Sequence, residues 1–123
     1  EMLYDLRLRV ARFAATMPFT NDDIEDIRLA VGEAGANALR HGLSPTCCKV
    51  RVRAERHRNL IRILIIDKGC GFDPNAVMVP ALTNLNETGR GIMFMRLLMD
   101  EVKFHTGGRG TSVEMVKRFR RLT

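Results

Sequence analysis

Three polar side chains able to handle a cation or a hydroxyl group recur at four-residue spacing: Glu33, Asn37 and His41. Residues four apart lie on the same side of a helix, one turn from each other. A carboxylate and an amide oxygen in that relation suit hydrated Mg²⁺, and the carboxylate could also orient a hydroxyl group or a water. On spacing alone, a solvated polar helix face is the simpler explanation. The functional interpretation is favoured by small neighbouring residues, which would allow a close approach to this helix: Ala34, Gly35, Ala36 and Ala38.

The segment "DKGCGFD" ends an apolar run with one acid and two glycines, Asp67, Gly69 and Gly71. An acid at the end of a strand could accept a hydrogen bond from the amino group of a ligand base. Glycines at such a place let the backbone come close to a ligand. A simple turn after a strand explains the same residues, and the segment by itself favours neither explanation.

Two further glycine-containing segments could bind phosphate or only turn the chain. The run Gly89, Arg90 and Gly91 is predicted to open a helix, where free amides and an arginine would attract phosphate. A flexible helix start is the alternative. The segment "GGRGT", which ends at Thr111, is typical of a hairpin turn.

The methionine-rich stripe that follows the second glycine segment has a less specific meaning. It consists of Met93, Met95 and Met99. Methionine fills irregular gaps in cores and is common at adaptable protein contacts. We therefore predict that the stripe belongs to the core or to a protein contact, not to a cofactor site.

The helices that must position these residues follow from hydrophobic periodicity. Apolar residues at three- and four-residue steps predict helices over residues 2–16 and 23–41. Thr20 or Asn21 could cap the second helix, and Gly42 stands where a left-handed C-terminal cap would be.

Alternating apolar and polar residues predict strands at 49–56 and 60–67, joined as a hairpin. Residues 74–89 show no clear period and predict a mobile loop. Consecutive strands with helices on one face indicate an α+β fold, a two-layer α/β sandwich whose mixed, mostly antiparallel sheet is covered on one face by helices. The remaining elements are one helix and two strands, at 90–102, 103–106 and 111–119.

Size and composition exclude several classes of protein. A chain of 123 residues fits a single domain, 1–123, and 28% charged residues are typical of a globular protein. No apolar run approaches the roughly 20 residues that span a bilayer, and the first ten residues do not resemble a signal peptide. Three cysteines without metal-site spacing suggest free thiols. Because thiols stay reduced in the cytosol, we predict a cytoplasmic protein. A net charge of +6 permits nucleic-acid binding, but the arginines are scattered and aromatic residues are only 6%, which disfavours it.

The order of four segments is more specific than any one of them. Along the chain come "EAGANALRHG", "DKGCGFD", "TGRGIMFMRLLMDEV" and "GRGTSVEMVKR". In this order they resemble the motifs of the Bergerat-type ATP-binding superfamily, which includes gyrase, histidine kinases and mismatch-repair ATPases. Within it the chain is most similar to the bacterial anti-sigma factor serine kinases, over about residues 2–120.

The resemblance assigns roles in the first two motifs. Glu33 matches the catalytic base, which polarises the attacking hydroxyl, and Asn37 matches the Mg²⁺ ligand. Asp67 matches the acid that accepts a hydrogen bond from the adenine amino group, with Gly69 and Gly71 as its glycine companions. His41 fits the motif in type, without an evident role.

Roles in the later motifs are carried over in the same way. Gly89 and Gly91 match the second glycine motif, where amides meet the phosphates, and Thr111 matches a hydroxyl that supports the adenine site. Arg90 is a candidate phosphate contact because of its charge and position. The segment 73–88 would be a lid that closes over ATP.

The resemblance implies a kinase that uses ATP and Mg²⁺, binds a sigma factor and phosphorylates a serine on a STAS-type anti-anti-sigma partner. It implies no direct contact with nucleic acid or membrane. A non-catalytic, nucleotide-dependent binding switch is the alternative, although the presence of Glu33 favours catalysis. The family usually has a strand before its first helix, whereas here a helix is predicted from residue 2. The oligomeric state, a homodimer included, is left open.

Overall fold

The helices and strands follow one another in the predicted order, with two helices, a hairpin, a third helix and a second hairpin. A computed structural model describes residues 2–42, 50–67, 85–107 and 110–119. Its elements are α1 (Met2–Ala14), α2 (Asn21–Gly42), β1 (Val50–Arg56), β2 (Leu60–Asp67), α3 (Leu85–Leu98), β3 (Glu101–Gly107) and β4 (Gly110–Arg118).

The four strands form one sheet in the order β1-β2-β4-β3. Each neighbouring pair is antiparallel, so the described strands contain no parallel pair. The prediction of an α+β sandwich with a mostly antiparallel sheet is therefore confirmed, while its mixed component is not found among these strands. The consequence for the site is that β2 and β4, which carry two predicted site residues, are direct neighbours at the centre of the sheet.

A reciprocal pair of hydrogen bonds starts α2. The Asp23 amide donates to Thr20 Oγ1 at 3.0 Å, and the Thr20 amide donates to Asp23 Oδ2 at 3.2 Å. This is a capping box with Asp in the third helical position, and it satisfies two amides at the helix start. Of the two predicted caps, Thr20 is the one used. The cap fixes where α2 begins, and with it the position of Glu33 along the helix axis, about three and a half turns further on.

The core lies between the sheet and the helices. Every second residue of β2 is fully buried, namely Ile61, Ile63 and Ile65. The predicted stripe of α2 packs on this surface, with Ile27 and Val31 inaccessible to solvent. The alternating apolar residues of β2 and the apolar stripe of α2 therefore pack against each other across one interface, as the sequence predicts.

The other face of the sheet carries a polar ladder across three strands. Arg62 Nε donates to Glu114 Oε2 at 2.8 Å, and His105 Nε2 lies 3.3 Å from Glu114 Oε1. Burial alone would raise the pKa of the Glu114 carboxyl, but the hydrogen bonds to His105 and Arg62 outweigh it and hold this pKa below its ordinary value. The ionised carboxylate therefore stabilises the folded state.

The third helix begins earlier than predicted. It starts at Leu85, so residues 85–89, which were expected to belong to a loop, are helical. Leu85 and Glu87 favour helices while Asn86 and Thr88 favour them less, so local propensity alone did not indicate this start. The rest of the predicted loop and lid lies outside the described residues.

None of the helices in the described ranges has the length and apolar character that a membrane-spanning helix requires.

Candidate functional site

The clearest contact between two predicted site residues joins α2 and α3. Glu33 is half-buried on α2, and its Oε2 would lie 3.1 Å from a Cβ placed on Gly91 of α3. A side chain at that distance would force the carboxylate to move by a few tenths of an ångström. Glycine at this point therefore makes room for the carboxylate between the two helices.

Asn37 lies one turn beyond Glu33 on α2 and is also half-buried. Because the two residues are four apart in an unbroken helix, their side chains leave α2 on the same side. The backbone of His41 continues the helix for a further turn. The four-residue spacing therefore places Glu33 and Asn37 on one side of α2, as predicted, and both side chains are partly exposed.

Two residues predicted to serve the adenine site are neighbours across the sheet. Asp67 is the last residue of β2, and its Cα partner on β4 is Thr111. The register that aligns them also aligns the buried pairs Ile65–Val113 and Ile63–Met115. A shift of one residue would turn these apolar side chains to the wrong face. The core packing thus fixes which β4 residue stands beside Asp67.

The second glycine motif does not open its helix, which corrects the basis of its predicted phosphate contact. The amides that a helix leaves free belong to its first turn, here Leu85–Thr88. Gly89, Arg90 and Gly91 follow inside α3, where amides serve the helix's own hydrogen bonds. In this structure the motif instead supplies the contact between Gly91 and Glu33.

The small residues of α2 do permit a close approach, but it comes from α1. A Cβ on Gly35 would lie 2.7 Å from Leu3 Cδ2 and 3.1 Å from Leu6 Cδ2. Ala34 is part of the core, with 1% of its surface exposed. The predicted close approach is found, but at Gly35 the approaching group is a helix, so this residue does not support the functional interpretation.

One residue of structural importance was not among the predicted site residues. Lys117 Nζ donates to the Leu98 carbonyl oxygen at 2.5 Å, at the end of α3, and lies 3.5 Å from Asp26 Oδ2 of α2. Its side chain is 13% exposed. Lys117 has the same strand parity as the buried Val113 and Met115, so alternation along β4 could have indicated an inward-facing lysine. It ties β4 to both helices that carry the Glu33–Gly91 contact.

The donor atoms on α2 fit a hydrated magnesium ion. Glu33 and Asn37 offer oxygen atoms from adjacent turns, and both side chains are partly exposed. Within the described part of the chain, no group of three or more His, Cys, Asp and Glu side chains could hold a metal by itself. Magnesium commonly binds one or two protein oxygens and completes its shell with water and substrate phosphates. The residues therefore fit an ion that arrives with a phosphorylated ligand.

A groove of about 450 Å³ lies elsewhere, between α1 and β1. It is lined by none of the residues predicted for the site. The remaining predicted residues, Gly69 and Gly71, lie outside the described residues, as do the three cysteines.

Comparison with known proteins matches the histidine kinase-like ATPase domain family over residues 1–117. An anti-sigma F factor of Clostridium beijerinckii is 36% identical over 119 residues, covering 92% of this chain and 83% of that protein. The serine-protein kinase RsbW of Bacillus velezensis is 34% identical over 121 residues, covering 91% of this chain and 75% of that protein.

Solved structures agree on the fold. The histidine kinase domain of the blue-light activated kinase EL346 from Erythrobacter litoralis superposes with a TM-score of 0.61 at 25% identity, over 80% of this chain and 45% of that one. The mycobacterial sensor histidine kinase MprB gives a TM-score of 0.61 at 18% identity, over 98% of this chain and 95% of that one. The family match over residues 1–117, together with relatives above 30% identity along most of their length, shows that this chain belongs to the histidine kinase-like ATPase domain family, in the branch of the anti-sigma factor serine-protein kinases.

Proposed function

We propose that this chain is an Mg²⁺-ATP-dependent protein serine kinase that holds a sigma factor and phosphorylates a serine on a STAS-type anti-anti-sigma partner. Family membership supports the ATP-dependent kinase, and the names of relatives, an anti-sigma F factor and a serine-protein kinase, support the regulatory role. The observation that carries the proposal is the Glu33 carboxylate, half-buried on α2 and lying against Gly91 of the facing helix.

In the proposed reaction the serine hydroxyl oxygen attacks the γ-phosphorus of ATP. The bond between that phosphorus and the β–γ bridging oxygen breaks, and ADP leaves with the bonding electrons. The hydroxyl proton would pass to the carboxylate of Glu33, and the space that Gly91 leaves for this side chain supports that role. Most of the remaining work is alignment and charge neutralisation, as in other phosphoryl transfers.

Other residues would bind and orient the nucleotide. Asn37 would hold the magnesium ion, with Glu33 one turn away. When bound, the ion neutralises charge on the phosphates. Asp67 would accept a hydrogen bond from the adenine amino group, and Thr111, its neighbour in register, would support that contact.

The residues of the two glycine motifs complete the proposed nucleotide site. Gly69 and Gly71 would let the backbone approach the base. Gly89 and Arg90 would lie near the phosphates, with the charge of Arg90 as the attracting group. A kinase that controls a sigma factor would work in the cytoplasm.

The proposal is tested with radiolabelled ATP and the STAS-domain proteins encoded in the same genome, by measuring label on the partner. We expect Glu33→Ala to bind Mg²⁺-ATP normally and to slow transfer by about 10²–10⁴-fold, the usual contribution of a general base. Asn37→Ala should abolish magnesium-dependent ATP binding in calorimetry. The matched control is Glu25→Ala, an exposed glutamate on the same helix that pairs with Arg28.

Equal transfer by the wild type and Glu33→Ala would contradict the kinase proposal. It would leave a nucleotide-dependent binding switch. No label on any STAS-domain protein, despite normal ATP binding, would have the same consequence.

A further inference from the structure

The outward side of α3 is unusually apolar. Met95 and Met99 are buried, and Ile92 and Leu98 pack against the core, so the helix has a normal inner side. A surface helix usually carries charged or polar residues on its other side. Here three large apolar side chains are exposed instead: Met93 at 61%, Phe94 at 51% and Leu97 at 73%.

No other described helix or strand carries three exposed large apolar side chains. The others are Tyr4 on α1, Leu29 on α2 and Phe104 on β3, each on a different element. Single exposed apolar residues are normal, whereas a contiguous apolar patch marks an interaction site. We call Met93, Phe94 and Leu97, with the intervening Arg96, the α3 outer face.

The α3 outer face starts next to the Glu33–Gly91 contact. At about 100° and about 1.5 Å per residue, Phe94 lies about 60° around the helix and about 4.5 Å along it from Gly91, whereas Met93 and Leu97 lie about 160° and about 120° around from it. The face therefore adjoins the contact at Phe94. A hydroxyl group that gives its proton to Glu33 must come close to Gly91. A protein that carries this hydroxyl would therefore cover surface near α3.

The charge on this face is positive. Arg96 is exposed, and no carboxylate in the described part of the chain lies within ion-pair distance of it. The nearest acids in sequence are engaged: the Asp100 carboxylate accepts the Arg118 amide at 2.6 Å, and Glu101 pairs with the Arg118 guanidinium. The face therefore complements an apolar surface that has an acidic residue at its edge.

We propose that the α3 outer face is the docking surface for the protein substrate whose serine is phosphorylated, and that this substrate presents apolar side chains beside an acid. This inference rests on the proposed kinase function. The position of Phe94 beside the contact, the exposed apolar side chains, and the charge of Arg96, which has no carboxylate partner in the described part of the chain, all favour a protein acceptor with that chemistry.

The test compares Leu97→Glu with Leu29→Glu, an equivalent change at an exposed leucine of α2. The probe is the STAS-domain protein that the wild type labels best, titrated against each variant with radiolabelled ATP. We expect Leu97→Glu to raise KM for the protein substrate about 10-fold or more, as for a central apolar contact, and to leave kcat and the Mg²⁺-ATP Kd unchanged. Leu29→Glu should behave as the wild type does, and thermal melting should show that both variants fold.

Arg96→Glu gives a second, electrostatic readout. It should raise the same KM at low salt, and the difference from the wild type should shrink as salt is added. A wild-type KM in Leu97→Glu, or equal effects of Leu97→Glu and Leu29→Glu, would overturn the proposal while the kinase function stands.

Other occupants of the face would give different results. If light scattering shows a dimeric wild type and a monomeric Leu97→Glu, the face joins two copies of this chain and the proposal is wrong. If Leu97→Glu loses a sigma factor but keeps its KM for the STAS-domain protein, the face serves the sigma factor and the proposal is again wrong. If the wild type labels no STAS-domain protein, the kinase function itself fails and the docking surface falls with it.

Discussion

Helix α2 meets a neighbouring helix on each side, and glycine permits close approach in both contacts, with different results. At the α1–α2 contact, Leu3 and Leu6 fill the space over Gly35 with methyl groups. At the α2–α3 contact, the space beside Gly91 is taken by the Glu33 carboxylate. An apolar side chain in such a space stabilises the fold, whereas a carboxylate gains a fixed position and stays available for chemistry.

The α1–α2 contact contains one polar group as well. The Arg7 side chain crosses Gly32, and its Cδ would lie 2.8 Å from a Cβ there. Arg7 Nε is buried without a hydrogen-bond partner among the described residues. Packing of the Arg7 side chain against Gly32 is therefore kept even though its Nε has no hydrogen bond there. This supports a structural role for the α1–α2 contact.

The largest expected effect comes from filling the structural contact. Gly35→Val places methyl groups where Leu3 and Leu6 already lie, so overpacking should cost about 1–3 kcal/mol of the free energy of unfolding. Urea unfolding measures this loss, and the Mg²⁺-ATP affinity of the folded fraction should not change. The control is Leu29→Val, which places the same β-branched side chain at an exposed position of the same helix. A Gly35→Val protein as stable as the wild type would show that this contact is loosely packed.

Filling the second contact should give the opposite pattern. In Gly91→Ala the new methyl group displaces the Glu33 carboxylate, and we expect phosphoryl transfer to fall about 10-fold through misplacement. The free energy of unfolding should stay the same or rise by up to about 1 kcal/mol, because alanine favours a helix more than glycine does. Initial rates and thermal melting measure the two effects. If Gly91→Ala is destabilised but transfers phosphate at the normal rate, the α2–α3 contact is structural, as the α1–α2 contact is, and does not position Glu33.

A smaller effect is expected at the end of the α2–α3 contact. Lys117→Met keeps the chain length but removes the donor to the Leu98 carbonyl, which should cost about 1 kcal/mol in urea unfolding. Lys117→Arg keeps a donor and serves as the control. Because the carbonyl belongs to α3, Lys117→Met should also slow transfer, by less than Gly91→Ala. An unchanged free energy of unfolding would mean that water replaces the lysine.

The smallest effect at neutral pH should come from the opposite face of the sheet. The pKa of Glu114 is lowered, so its stabilisation is present above the unfolded pKa of about 4.3 and is lost as pH falls through the lower folded pKa. Glu114→Gln should lower the free energy of unfolding by up to about 1 kcal/mol at neutral pH. It should also make this free energy fall less steeply as the pH is lowered into the acidic range. Unfolding free energies measured across this pH range check the slope. Glu25→Gln is the control, and an acid limb as steep as that of the wild type would contradict the assignment.

Elements with strong periodicity were predictable from sequence, and element ends were less so. Strand β2 has the predicted bounds, because alternation and the flanking turn residues mark both of its ends. The start of α3 was missed by several residues, because the glycines were interpreted as a helix boundary and the residues before them have mixed helix propensity. The cap of α2 could be narrowed only to Thr20 or Asn21, and hydrogen-bond geometry selects Thr20.

By itself, the sequence determined the order of the elements, the buried faces and the set of residue types that could bind and transfer phosphate, since these depend on local periodicity and on chemistry carried by each side chain. Tertiary structure decided which residues meet: Glu33 with Gly91, Asp67 with Thr111, and Lys117 with the end of α3. It also decided that a leucine, not a ligand, fills the space at Gly35. The reason is that strand register and the approach of helices are set by packing between segments far apart in the chain, which no local pattern encodes.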